Sequence, residues 1–142
     1  MIAPDANLLI YASDPASSFH ARAHLWLEDV LSSAEPVGLP IISLYAFLRF
    51  VTNPRIAPAA LAFGAATTVI DRWLALPHVR ILYPGDRHWQ ILQSLSKGTR
   101  LTGNLITDAT IAAIAQEYGA VVHTNDRDFA RFPGVRWHNP LA

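Results

Sequence analysis

Short apolar runs alternate with longer amphipathic ones along the whole chain, and carboxylates fall where apolar runs stop. The opening MIAPD predicts a short strand ending at Asp5, after which NLLIYA starts a helix. Ser17 or Ser18 is placed to cap a second helix through about Ser32, with Leu25, Trp26, Val30 and Leu31 as its apolar stripe. The stretch from Gly38 to Ile42 predicts a strand, and Ser43 is read as the cap of an apolar helix, LYAFLRFV, that stops near Asn53-Pro54. Pro58 suits a first helical position, and the pattern then runs to Leu76, before Pro77. VRILY at 79–83 predicts a strand, Pro84-Gly85 a turn, and the segment from Asp86 to about Ser96 a helix. A loop, KGTRLTGN at 97–104, precedes an apolar helix over roughly 105–118, with Gly119 as the glycine just past its end. AVVHT predicts a strand, and VRW at 135–137 a last short one.

Short apolar strands separated by helices imply parallel pairing, because parallel neighbours need crossovers and those crossovers cover the sheet. The expected fold is therefore α/β, a parallel sheet of four to five strands with helices on both faces, in one domain over 1–142. Ligands of such sheets bind beyond the carboxyl ends of the strands. Asp5 and Asp126 lie at predicted strand ends and Asp108 near a helix start, so residues far apart in sequence can share one site.

Composition narrows the class. The chain has 142 residues, 51% hydrophobic and 15% charged, with four tryptophans and zero net charge. It can bury a substantial core, and no global basic field points to nucleic acid. No apolar stretch approaches the roughly 20 residues of a membrane span, and a basic leader segment is missing, so a cytoplasmic protein is expected. The lack of cysteine excludes disulfides and thiolate metal sites. Ten of the eleven basic residues are arginine, a bias that arginine-rich codon usage explains as well as phosphate binding does.

Convergent carboxylates suit hard cations such as Mg²⁺ or Mn²⁺, which take oxygen ligands and assist phosphodiester hydrolysis. Each acid also has a plainer reading: Asp5 can start the first helix, Asp108 can favour a helix N-terminus, and Asp126 or Asp128 can form an Asx-turn. Those readings account for each acid singly but not for their common placement. Asn7, two residues on, can hold the Asp5 carboxylate by a hydrogen bond, or the alternation simply separates their faces.

The chain resembles the PIN-domain ribonucleases, specifically the VapC-type toxins of toxin–antitoxin pairs. The resemblance is carried by Asp5-Ala6-Asn7-Leu8-Leu9, FLRFVTNPR at 47–55, GNLITDATIAAIA at 103–115 and VVHTNDRDFARFPGVRWHNPL at 121–141. It implies a divalent-metal-dependent endoribonuclease that hydrolyses RNA by a metal-activated water, an antitoxin partner, and a homodimer-based assembly. On matching positions, Asp5, Asp108 and Asp126 are the implied metal-binding and catalytic acids, with Mg²⁺ the implied ion and Mn²⁺ its alternative. Asp128 is implied as an outer position, and Thr124 and Asn7 as supporting polar groups. One position departs: Ala46 stands where the family commonly has glutamate, which puts a second metal in doubt.

Arg49, three residues after Ala46, is placed to reach a phosphate, although a surface salt bridge accounts for it equally well. The apolar helices around 44–51 and before Leu76 offer surface for an antitoxin segment or a second copy, while Trp73 is assigned to the core. His20 and His24 have helical metal-pair spacing without a third ligand, and His123 should point away from Thr124 by strand alternation. Two other functions compete. A catalytically weak PIN-like module that binds RNA or protein is favoured by Ala46. An aspartyl phosphatase with Asp5 as nucleophile lacks its usual second acid, since Asn7 stands there.

Overall fold

In the computed structural model residues 1–57 and 59–142 are described. The chain runs β1 (Ile2–Pro4), α1 (Ala6–Ser13), α2 (His20–Ser32), β2 (Val37–Pro40), α3 (Ile41–Val51), α4 (Phe63–Leu74), β3 (Val79–Leu82), α5 (His88–Leu95), α6 (Asn104–Glu117), β4 (Val121–His123) and β5 (Trp137–His138). A short 3₁₀ helix, Arg127–Arg131, lies between β4 and β5. The strands form one five-stranded sheet in the order β3-β2-β1-β4-β5, with all four pairings parallel.

Alternate side chains of β1 serve opposite faces. Ile2 joins a core built with α1 to α4, whereas Ala3 joins a second core with α5 and α6. Phe47 and Trp73 meet in the first core with ring centroids 5.2 Å apart, so Trp73 takes its expected place inside. In the second, Ala109, Ala112, Ala113 and Ala115 are buried, small enough for α6 to press close to the sheet. The close approach of β2 and β3 also constrains side-chain size: a Cβ on Gly38 would stand 2.5 Å from the Leu82 side chain.

The helices depart from the sequence reading at their starts. Ser43 is no cap: β2 runs directly into α3 at Ile41, and the buried Ser43 hydroxyl donates to the Pro4 carbonyl at 2.8 Å, tying α3 to β1. Helix α2 starts at His20 without a side-chain cap; the Ser17 hydroxyl instead accepts the Phe19 N–H in the preceding turn. The expected start at Pro58 lies outside the described residues, and α4 begins only at Phe63. Helix α5 starts at His88, its approach held by the Glu117 carboxylate, which accepts N–H bonds from Gly85 and Arg87 at 2.8 and 3.0 Å. The end of α6 follows the expectation. Gly119 has φ +66°, and its N–H and that of Ala120 close back onto the Gln116 and Ala115 carbonyls.

Candidate metal centre

Strand order decides where a ligand can sit. Connections leave β1 toward β2 on one side and β4 lies on the other, so the crevice beyond β1 and β4 is a topological switch point. Asp5 follows β1 there, and its N–H donates to the His123 carbonyl at 2.9 Å, fixing it beside the end of β4. Asp126 follows β4, and Asp108 looks in from the second turn of α6. All three, with Ala46 and Arg49 of α3, line one cavity of about 330 Å³.

Thr124 organises the centre. Its buried hydroxyl donates to Asp5 Oδ2 at 2.7 Å, and accepts from Asn7 Nδ2 at 3.2 Å and from the Asp126 N–H at 2.9 Å. A hydroxyl has one proton and two lone pairs, so this group is saturated, and its proton has only Asp5 to go to. Asn7 therefore supports Asp5 through Thr124, not by the direct bond that the sequence left open. Asn7 is turned by a second contact, accepting the Asn125 N–H at 3.5 Å. Asp5 Oδ1 accepts the Ala6 N–H at 2.7 Å and so also caps α1. Asp126 Oδ1 accepts the Asp128 N–H at 2.8 Å, the Asx-turn of its plainer reading. Local capping thus takes one oxygen of each of Asp5 and Asp126, and the other Asp5 oxygen takes the Thr124 proton. Asp108 is in the body of its helix and caps nothing.

One oxygen each from Asp108, Asp126 and Asp128 can be found within 4.8 Å of one another. Burial raises the Asp108 pKa to about 7, and the charges of Asp5, Asp126 and Asp128 push it the same way. Asp5 is raised to about 6, chiefly by burial; the Thr124 and Ala6 hydrogen bonds hold it down against that rise. Crowded oxygen donors whose ionisation costs free energy fit a hard divalent cation, whose charge removes the repulsion. Asp128 is shared with solvent and pairs with Arg131 at 3.4 Å.

Arg49 reaches the cavity from the exposed side of α3, and none of the ion pairs among the described residues engages it. His123 faces away, as strand alternation requires. Its Nδ1 accepts the Trp26 indole N–H at 3.2 Å, and burial, with the His138 charge, lowers its pKa to about 4. His20 and His24 are separately engaged, with the Tyr11 carbonyl and with Glu28. Sequence reasoning missed Asn104, Thr107 and Ile111, which line the same cavity. Asn104 and Ile111 lie four residues before and three after Asp108, so helical periodicity carried the signal.

The family model for the PIN domain matches residues 2–135. Ribonuclease VapC33 of Mycobacterium tuberculosis is 38% identical, the alignment covering 99% of this chain and 99% of that one. Among solved structures, VapBC2 from Rickettsia felis, bound to a DNA fragment from its promoter, matches with a TM-score of 0.69 at 20% identity, over 98% of each chain. A toxin–antitoxin complex from Klebsiella pneumoniae matches with a TM-score of 0.63 at 20% identity, over 99% of this chain and 98% of that one.

Proposed function

We infer function from membership, since this chain belongs to the PIN-domain family in its VapC branch, and we propose that it is a divalent-metal-dependent endoribonuclease toxin acting in the cytoplasm. The observation that carries the reading is the convergence of Asp5, Asp108 and Asp126 on one cavity at the switch point. Asp5, Asp108 and Asp126 would hold the cation, Mg²⁺ or Mn²⁺, with Asp128, which brings an oxygen within 4.8 Å of those of Asp108 and Asp126, as the outer acid. When bound, the cation neutralises phosphate charge and lowers the pKa of water. Thr124 keeps Asp5 and the Asp126 backbone in register, and Arg49 neutralises the RNA phosphate facing the acids. His123, committed to Trp26, supplies no base. Ala46 leaves the α3 side of the cavity without a carboxylate, which favours one tightly held cation over two.

The partner is a cognate antitoxin. A second, apolar cavity of about 490 Å³ between the end of α1, α3 and α4, walled by Phe47, Phe50, Val51 and Leu61, suits one apolar face of an antitoxin segment. Phe63 and Ile56, exposed nearby, supply apolar surface for a homodimer. The competing reading, a catalytically weak module that captures RNA or protein, is favoured by Ala46. Incubation of antitoxin-free protein with an RNA pool under Mg²⁺ or Mn²⁺ decides between them. Cleavage is expected to stop with chelator and with Asp5→Asn; cleavage that survives both refutes the metal–carboxylate mechanism, and RNA binding without cleavage selects the binding module.

A further inference from the structure

Helix α3 buries Leu44, Phe47 and Val51 in the core, yet leaves Tyr45 54% exposed. Helical spacing puts Tyr45 one turn before Arg49, on the same stripe, and beside Ala46; Arg49 and Ala46 both line the acid cavity. The acid cavity, of about 330 Å³, is lined by acids, amides and small or aliphatic side chains and by no aromatic ring, so it offers a phosphate polar groups but gives the flanking bases no face to stack on. Those bases find stacking only beyond the lining, and one helical turn before Arg49 on α3 stands the exposed Tyr45 ring. An aromatic face beside a cation is how single strands are held without regard to sequence, because every base offers a π-face.

Resting on the ribonuclease reading above, we propose that Tyr45 is the stacking platform for the base next to the phosphate held at the acids, with Arg49 setting the backbone against it. The occupant is a single-stranded RNA segment, since a duplex keeps its base faces stacked inside the helix and presents none to the ring. Tyr45 contributes affinity and selects unpaired substrate; it takes no part in the chemistry.

The test measures binding of a short mixed-sequence oligoribonucleotide, and of a matched strand with abasic riboses, to the full chain in an Asp108→Asn background that prevents cleavage. Tyr45→Ala is expected to weaken binding of the base-bearing strand about ten-fold and leave abasic binding unchanged. Tyr45→Phe and Tyr45→Trp are expected to retain or tighten it, since either ring stacks. Equal binding of the base-bearing strand by Tyr45→Ala and the parent overturns the proposal. So does a Tyr45→Ala change in oligomeric state by light scattering with RNA binding intact, which would assign the ring to a protein contact. A parent chain that neither binds nor cleaves RNA overturns the ribonuclease reading itself, a result distinct from these.

Discussion

The two ends of α6 are built to opposite standards. At its C-terminal end the carbonyls find partners, although Glu117 places an acid there. Gly119 takes the left-handed turn at φ +66°, Arg87 donates to the Glu117 carbonyl at 3.4 Å, and Arg136 donates to the Gly119 carbonyl. The Arg80 guanidinium lies 5.3 Å from the Tyr118 ring centroid. Cations belong there, against the negative end of the helix dipole. Toward the N-terminal end Asp108 shares a half-enclosed space with three other carboxylates, and Gly103 offers α6 no side-chain cap. One helix thus carries a terminus whose carbonyls are paired and another whose acids repel one another, and that second arrangement fits a ligand of opposite charge.

The sharpest way to break this contrast is Asp108→Asn. Cleavage of RNA should fall on the order of 10²-fold or more, the scale of removing one preorganised charge-stabilising group. The same substitution should raise the melting temperature of the metal-free chain at alkaline pH, by ~3 °C, because it relieves repulsion. A variant that is both inactive and less stable would refute the repulsion among these acids. Thr124→Val comes next. It keeps the shape but deprives Asp5 and the Asp126 N–H of their shared partner, and cleavage should drop about 10- to 100-fold, as for other groups that orient metal ligands. Undiminished cleavage would show that the hydroxyl positions nothing.

At the other terminus, Gly119→Ala forces a Cβ into left-handed backbone and should cost about 1 kcal/mol in urea unfolding, with activity per folded molecule unchanged. A further effect is in pH dependence. Asp5 and Asp108 are raised from 3.8 to about 6 and about 7, so the folded chain binds more protons than the unfolded one between these values. Their contribution to stability is therefore present below about pH 4 and lost as pH rises toward about 7. Thermal midpoints of the metal-free parent should fall relative to Asp108→Asn across this window, and added Mg²⁺ should narrow the gap. Parallel pH curves would refute the raised values.

Much of this design was legible in sequence because strands and acids obey short-range rules. Asp5 and Asp126 end apolar runs, and a parallel sheet brings the ends of such runs together. Ser43 misled because a serine ahead of an apolar run looks like a cap. Its true partner, the Pro4 carbonyl, is 39 residues away and not visible to local pattern. Between the two readings open for Asn7 local pattern could not decide: it bonds Thr124, at a separation of 117 residues, and not Asp5. The plain readings of Asp5 and Asp126 hold, and they leave room for a second role, since each local bond engages one carboxylate oxygen. Asn104 and Ile111 could have been found by following the helical face of Asp108.

The sheet order has a consequence for how the molecule is made. Its middle strand consists of residues 2–4, and that strand is flanked by residues 37–40 and 121–123. The bond from Thr124 to Asp5 spans 119 residues. Domains on the ribosome assemble from the N-terminal side as chain emerges, and contacts this distant form late. The β2 and β3 side can gather around β1 early, complete with the apolar cavity between α1, α3 and α4. The acid centre cannot exist in any nascent chain that has not yet reached Thr124. On this order the acid centre is completed last, after the β2 and β3 half and the apolar cavity between α1, α3 and α4.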